Sequence, residues 1–97
     1  MTPEAKVKMA VKILLDYMGI YHFSPYMAGM GRSGIPDIIA CYKGYFIAIE
    51  CKAGFNKTTA LQDKELAAIT TAGGITLVIR EDTIELLQQE LRRIKYA

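Results

Sequence analysis

The sequence predicts one α/β domain with element order α-β-β-β-α-β-α and a mixed sheet flanked by helices. Three observations predict it. Apolar residues recur at helical spacing near the start of the chain, two apolar runs flank Lys43-Gly44, and a helical stretch ending in Ala72-Gly73-Gly74 precedes the continuous apolar run Ile75–Ile79.

Each element has its own local signal. From Thr2 to about Met18, Val7, Ala10, Val11, Leu14 and Met18 fall at spacings of three and four. Thr2 suits the N-cap, Pro3 the first helical position and Gly19 the stop. Tyr21 to Met27 is short and aromatic, which predicts a strand, and Pro25 marks it as an edge or an irregular one. Gly29 to Pro36 reads as a glycine-rich loop. Asp37 to Tyr42 and Tyr45 to Lys52 read as strands joined by the Lys43-Gly44 turn, and Ala53 to Thr58 as a loop. Thr59 to about Thr71 predicts a second helix, and Ile75–Ile79 a buried strand. Glu81-Asp82-Thr83 opens a third helix with Ile84, Leu87, Leu91 and Ile94 on its apolar face. A crossover through the second helix makes the Tyr45–Lys52 and Ile75–Ile79 strands parallel neighbours.

A chain of 97 residues with 52% hydrophobic and 23% charged residues has a globular composition. It can bury roughly 60–65% of its unfolded surface, enough for one core spanning residues 1–97 as a single domain. No apolar run reaches the roughly 20 residues that span a membrane. The N-terminus lacks a signal-peptide layout, so the expected compartment is cytoplasmic. A net charge of +2 does not by itself argue for nucleic acid. One His and two Cys cannot build a four-ligand zinc site without carboxylates.

The hairpin carries the chemistry. If Lys43 and Gly44 form a two-residue loop, Tyr42 pairs with Tyr45 and Asp37 comes to face Glu50. Lys52 shares the face of Glu50, because strand side chains alternate. Two carboxylates and an amine therefore converge at the end of the hairpin away from the turn. Opposed carboxylates repel, and a divalent cation is the simplest counter-ion; carboxylate oxygens suit Mg²⁺ or Mn²⁺. The competing reading makes Asp37 a strand cap, Glu50 a solvated strand residue and Lys52 an ion-pair partner of one of them. Parity sets Cys41 and Cys51 on opposite faces, so no disulfide joins them, and both read as small buried apolar residues.

These residues resemble a known pattern. Pro36-Asp37, twelve intervening residues and Glu50-Cys51-Lys52 match the PD-(D/E)xK nuclease signature. Gly31-Arg32-Ser33-Gly34-Ile35-Pro36-Asp37-Ile38-Ile39 resembles the glycine-rich entry to the first acidic residue of virus-type replication-repair nuclease (VRR-NUC) domains. Gln62 and Ala72-Gly73-Gly74 fit that family too. The resemblance covers nearly the whole chain and implies a restriction-endonuclease-like PD-(D/E)xK core. It implies a Mg²⁺- or Mn²⁺-dependent endodeoxyribonuclease of the stand-alone bacterial or viral type. Stand-alone members tend to act as homodimers and some cleave branched DNA such as four-way junctions, which is what the resemblance implies here, with no membrane and no organic cofactor. The family's mechanism assigns Asp37, Glu50 and the Cys51 backbone carbonyl to the metal, and Lys52 to the attacking water and the phosphate. A different class of function stays open: a non-catalytic nucleic-acid-binding module, or a subunit of a replication or repair complex.

Several further residues carry two readings each. Glu4 matches an acidic family position that completes the metal site, or it complements the helix dipole. Gln62 matches a position near the site, or it closes a capping box with Thr59. Arg32, Ser33, Gly34 and Lys57 are candidate DNA contacts, or ordinary loop residues. Gly29-Met30-Gly31-Arg32-Ser33-Gly34 spells a dinucleotide fingerprint, but Pro36 and a strand follow where a helix is required, so that reading is rejected. His22 reads as a packing residue, and Arg92, Arg93 and Lys95 as favourable charges at a helix C-terminus.

Overall fold

The computed structural model describes residues 1–26 and 31–97. The expected far end of the first strand at Met27 and the start of the glycine-rich loop at Gly29 and Met30 lie outside the described residues. The elements are α1 (Pro3–Tyr17), β1 (Tyr21–Phe23), β2 (Ile38–Tyr42), β3 (Tyr45–Cys51), α2 (Ala60–Thr71), β4 (Ile75–Ile79) and α3 (Ile84–Arg93). This is the order the sequence predicts.

α1 begins as expected. The Thr2 hydroxyl accepts the Ala5 amide at 3.1 Å, Pro3 occupies the first turn, and Gly19 follows the C-cap at φ 70°. The inward stripe is Val7, Val11 and Leu15, with Leu14 and Met18 packed beside it. Leu15, which the spacing count passed over, is fully buried. Each such side chain contributes about 1.5–3 kcal/mol on burial.

Lys43 and Gly44 take φ values of 54° and 88°, the paired left-handed corners of a two-residue hairpin turn. Tyr42 pairs with Tyr45, and the register runs through to Ile38 opposite Ile49. β1 pairs antiparallel with β2, and β3 parallel with β4, giving the sheet order β1-β2-β3-β4. β1 is shorter than expected and ends at Phe23. Pro25 has no amide to donate to a ladder.

One sheet face presents Ile38, Ala40, Ile47, Ile49, Cys51 and Ile79. It packs against Val7, Val11 and Leu15 of α1 and Leu87 and Leu91 of α3 to form the core. α2 lies on the other face, where the Thr70 and Thr76 hydroxyls meet at 3.0 Å, and it buries no residue fully. That face is only partly covered. Cys41, next to Tyr21 and Phe46 in the register, is consequently exposed, and the expectation that both cysteines are buried holds only for Cys51. At the opposite end of the hairpin from Asp37, the Lys43 ammonium donates to the Ile94 carbonyl at 2.7 Å and the Ala97 amide donates to the Lys43 carbonyl at 2.9 Å. No helix among the described residues is long and apolar enough to cross a membrane.

Candidate metal centre

Three short stretches of backbone meet at the end of the sheet remote from the Lys43-Gly44 turn. Asp37 stands just before β2, Glu50 is the second-last residue of β3, and Lys52 follows β3 directly. The Lys52 amide donates to the Ile79 carbonyl at 3.0 Å, so β4 fixes the backbone at this point. α1 supplies two more side chains one turn apart. Lys8 Nζ lies 3.5 Å from Asp37 Oδ1, and Glu4 Oε1 lies 3.9 Å from Lys52 Nζ.

Burial decides the character of this cluster. Glu50 is 1% exposed and Lys52 8%, although neither is apolar. The competing reading of Glu50 as a solvated strand residue therefore fails. Asp37 Oδ2 accepts the Cys51 amide at 2.8 Å, and its carboxyl is in hydrogen-bonding contact with that of Glu50. Glu50 Oε2 is buried without a hydrogen-bond partner. An orphaned buried oxygen is costly, and a water molecule or a cation would satisfy this one.

The electrostatics are asymmetric. Burial pushes the Glu50 carboxyl up to about 8, the hydrogen bond and charge of Asp37 add to this, and the nearby Lys52 opposes it. Burial also resists ionisation of Asp37. There the hydrogen bonds from Glu50 and the Cys51 amide, with the Lys8 charge, outweigh it and hold the carboxyl below its ordinary value. The pair therefore holds one negative charge and one proton at neutral pH, as expected of close carboxylates. The Cys51 thiol is pushed up to about 12 by burial, then by the charges of Asp37 and Glu50. It is an inert packing group, and only its backbone is in a position to serve the site.

The structure thus brings together Asp37, Glu50, Lys52 and Glu4, and adds Lys8, which the sequence reading missed. The signal was there: Glu4 and Lys8 stand four apart on one helix, on the same face. Glu4 turns toward Lys52. Among the described residues, no group of three His, Cys, Asp or Glu side chains gathers closely enough to hold a metal ion by side chains alone. Asp37 and Glu50 fit a cation that takes one or two protein carboxylates and fills its other positions with carbonyl, water or phosphate oxygens.

The remaining candidates have other engagements. Gln62 closes the capping box: its side-chain oxygen accepts the Thr59 amide at 2.9 Å, and its own amide donates to the Thr59 hydroxyl at 3.2 Å. Arg32 pairs with Glu65 of α2. Gly34 takes φ 85°, and a Cβ built there would overlap the Leu61 carbonyl and sit 2.9 Å from the Gln62 amide nitrogen. Arg32, Ser33 and Gly34 therefore run along the start of α2, where Arg32 and Ser33 line a cleft of 230 Å³ with Leu61, Lys64 and Glu65. Lys57 is exposed in the segment before α2. His22 Nε2 meets Asp16 Oδ1 at 2.6 Å, and its Nδ1 is buried without a partner among the described residues. Comparison with protein-family models, with curated proteins and with solved structures gives no match for this chain.

Proposed function

We propose that the chain is a metal-dependent DNA endonuclease of the PD-(D/E)xK type, resembling VRR-NUC domains. The observation that carries this reading is the Glu50 carboxylate. It is buried beside Asp37, leaves one oxygen without a partner, and lies two residues from a nearly buried lysine. A purely structural site gains nothing by setting a buried carboxyl against a partly buried one, since each deters ionisation of the other.

Asp37 and Glu50 would hold Mg²⁺ or Mn²⁺, with the Cys51 carbonyl as a further oxygen. A bound divalent cation supplies Lewis acidity, making water a better nucleophile and offsetting charge on a phosphate. The chain's own groups do the rest. The Asp37–Cys51 hydrogen bond fixes one carboxylate on the end of β3. The core behind β3 keeps Glu50 from swinging into solvent. The Lys52 ammonium, held close to Glu4, orients the attacking water and donates to a phosphate oxygen. Glu4 acts on the reaction through Lys52.

The resemblance to VRR-NUC domains supports structure-selective cleavage of branched DNA by a homodimer, whose two sites would serve two strands. The test is incubation with linear duplex, single-stranded, flapped and four-way-junction DNA in Mg²⁺, Mn²⁺ or EDTA. The expected result is metal-dependent cleavage that Glu50→Ala abolishes. Cleavage that survives EDTA or Glu50→Ala overturns the mechanism, and DNA binding without cleavage favours the non-catalytic binding module.

A further inference from the structure

Three residues after Lys52 the chain makes a turn that presents a phenylalanine entirely to solvent. Phe55 is 100% exposed, while Ala53 beside it is 7% exposed. The Asn56 amide donates to the Ala53 carbonyl at 3.1 Å, closing the turn, and Gly54 takes the left-handed φ of 57° at its first corner. Both polar groups of Gly54 are then clamped from the segment after β4. Its amide donates to the two Glu81 carboxylate oxygens at 2.9 and 3.1 Å, and its carbonyl accepts Arg80 Nη1 at 3.1 Å.

A single exposed apolar side chain is ordinary, and by itself means nothing. Here it sits on a turn whose backbone is braced at Gly54. By chain length its Cα lies within about 11 Å of that of Lys52. Two cations and one anion stand near it: Lys57 two residues on, and Arg80 and Glu81 on the clamp, where Glu81 is occupied by the Gly54 amide. A fully exposed aromatic ring with cations beside it, three residues from the lysine of a candidate phosphodiester site, matches what single-stranded nucleic acid is bound by. Cations track the backbone, and an aromatic face takes an unstacked base. In a continuous duplex the bases are already stacked and offer the ring nothing. A flap carries free bases, and at the centre of an open four-way junction the stacking between arms is interrupted.

We propose that Phe55 is the residue that recognises interrupted DNA, by stacking on an unstacked base at a branch point or flap. The inference rests on the DNA part of the reading above and adds the side chain that selects the substrate. Its test is binding in EDTA, where metal-dependent cleavage is silent, to labelled four-way-junction, flapped and fully paired duplex DNA of equal length. The flapped DNA carries 2-aminopurine as its unpaired base. Phe55→Ala is expected to weaken junction and flap binding about five- to hundredfold, leave the paired duplex unchanged, and lose the quenching of 2-aminopurine. Phe55→Trp is expected to retain both affinity and quenching. Unchanged junction and flap affinity in Phe55→Ala, or an equal loss on all three DNAs, overturns the proposal. A change confined to oligomeric state overturns it too and makes Phe55 a contact between copies. Wild-type protein that binds none of the DNAs overturns the nuclease reading with it. Wild-type binding that is indifferent to Phe55→Ala overturns this inference alone. The ring packs on nothing, so a thermal melt of each variant is expected to match the wild type.

Discussion

The Asp37 carboxylate accepts the Cys51 amide at 2.8 Å, so the first acidic residue is bonded to the backbone between Glu50 and Lys52. This bond, together with contact to Glu50, keeps Asp37 ionised and leaves the proton on Glu50. A carboxyl that titrates near 8 when folded and near 4.5 when unfolded binds its proton more tightly in the native state. Stability of the metal-free protein is therefore expected to fall as pH rises through that window. Asp37, whose folded value is lowered, contributes in the opposite sense only in acid, where its stabilisation is lost as pH falls through its folded value. Thermal melts in EDTA from about pH 5.5 to about pH 8.5 are expected to show a decline of several degrees, which Glu50→Gln removes. Titration with Mg²⁺ near pH 7, in buffers of different ionisation enthalpy, is expected to show release of about one proton per ion, because Glu50 must ionise to bind it. Melts that are flat with pH in the wild type would contradict the protonated Glu50.

Lys8 stands where a cation would be welcome. Its ammonium lies 3.5 Å from Asp37 Oδ1, half exposed at the site's mouth. A positive charge at that distance opposes entry of a second one, though solvent weakens the effect. Lys8→Gln is expected to tighten Mn²⁺ binding about three- to tenfold, and Lys8→Arg to leave it near the wild-type value. Calorimetry or the loss of the free Mn²⁺ resonance reads this directly. An unchanged or weaker affinity in Lys8→Gln would show that Lys8 only packs against the site.

What the sequence made legible follows from how local its determinants are. The hairpin register rests on two residues, Lys43 and Gly44, and their left-handed corners were readable because glycine tolerates them. That register alone brought Asp37 toward Glu50. The first and third helices were legible because their apolar stripes are regular. The missed features depend on distant packing. Cys41 has the neighbours of a core residue in sequence, yet its face is left open by where α2 docks. Lys8 looks like any solvated helix lysine until α1 crosses the end of the sheet. Full burial of Glu50 was also out of reach, since strand alternation assigns a face without saying what covers it.

The glycine-rich segment makes a stability prediction. Gly34 combines φ 85° with a backbone-to-backbone approach to Leu61 and Gln62. A Cβ there meets carbonyl atoms that cannot move aside without shifting the first turn of α2, and the left-handed conformation adds its own strain. Gly34→Ala is expected to cost about 2–4 kcal/mol in chemical denaturation. Gly19→Ala, whose Cβ would meet nothing, is expected to cost only about 1 kcal/mol, the strain of the left-handed φ alone. Equal costs at the two positions would mean that the contact with α2 is not what Gly34 serves.

Gln62 can be assigned by separating stability from metal binding. Its side chain and that of Thr59 each satisfy the other's backbone amide. If the cap is its whole role, Thr59→Ala and Gln62→Ala remove the same reciprocal pair. Each is then expected to cost about 1 kcal/mol, and the double variant less than the sum. Gln62→Glu keeps an oxygen for the Thr59 amide and adds a favourable charge at the helix start, so it is expected to hold stability. Metal affinity and DNA cleavage should follow none of these changes. A loss of cleavage in Gln62→Ala that Thr59→Ala does not share would instead give Gln62 a part in the reaction, reached by releasing Thr59 when substrate binds.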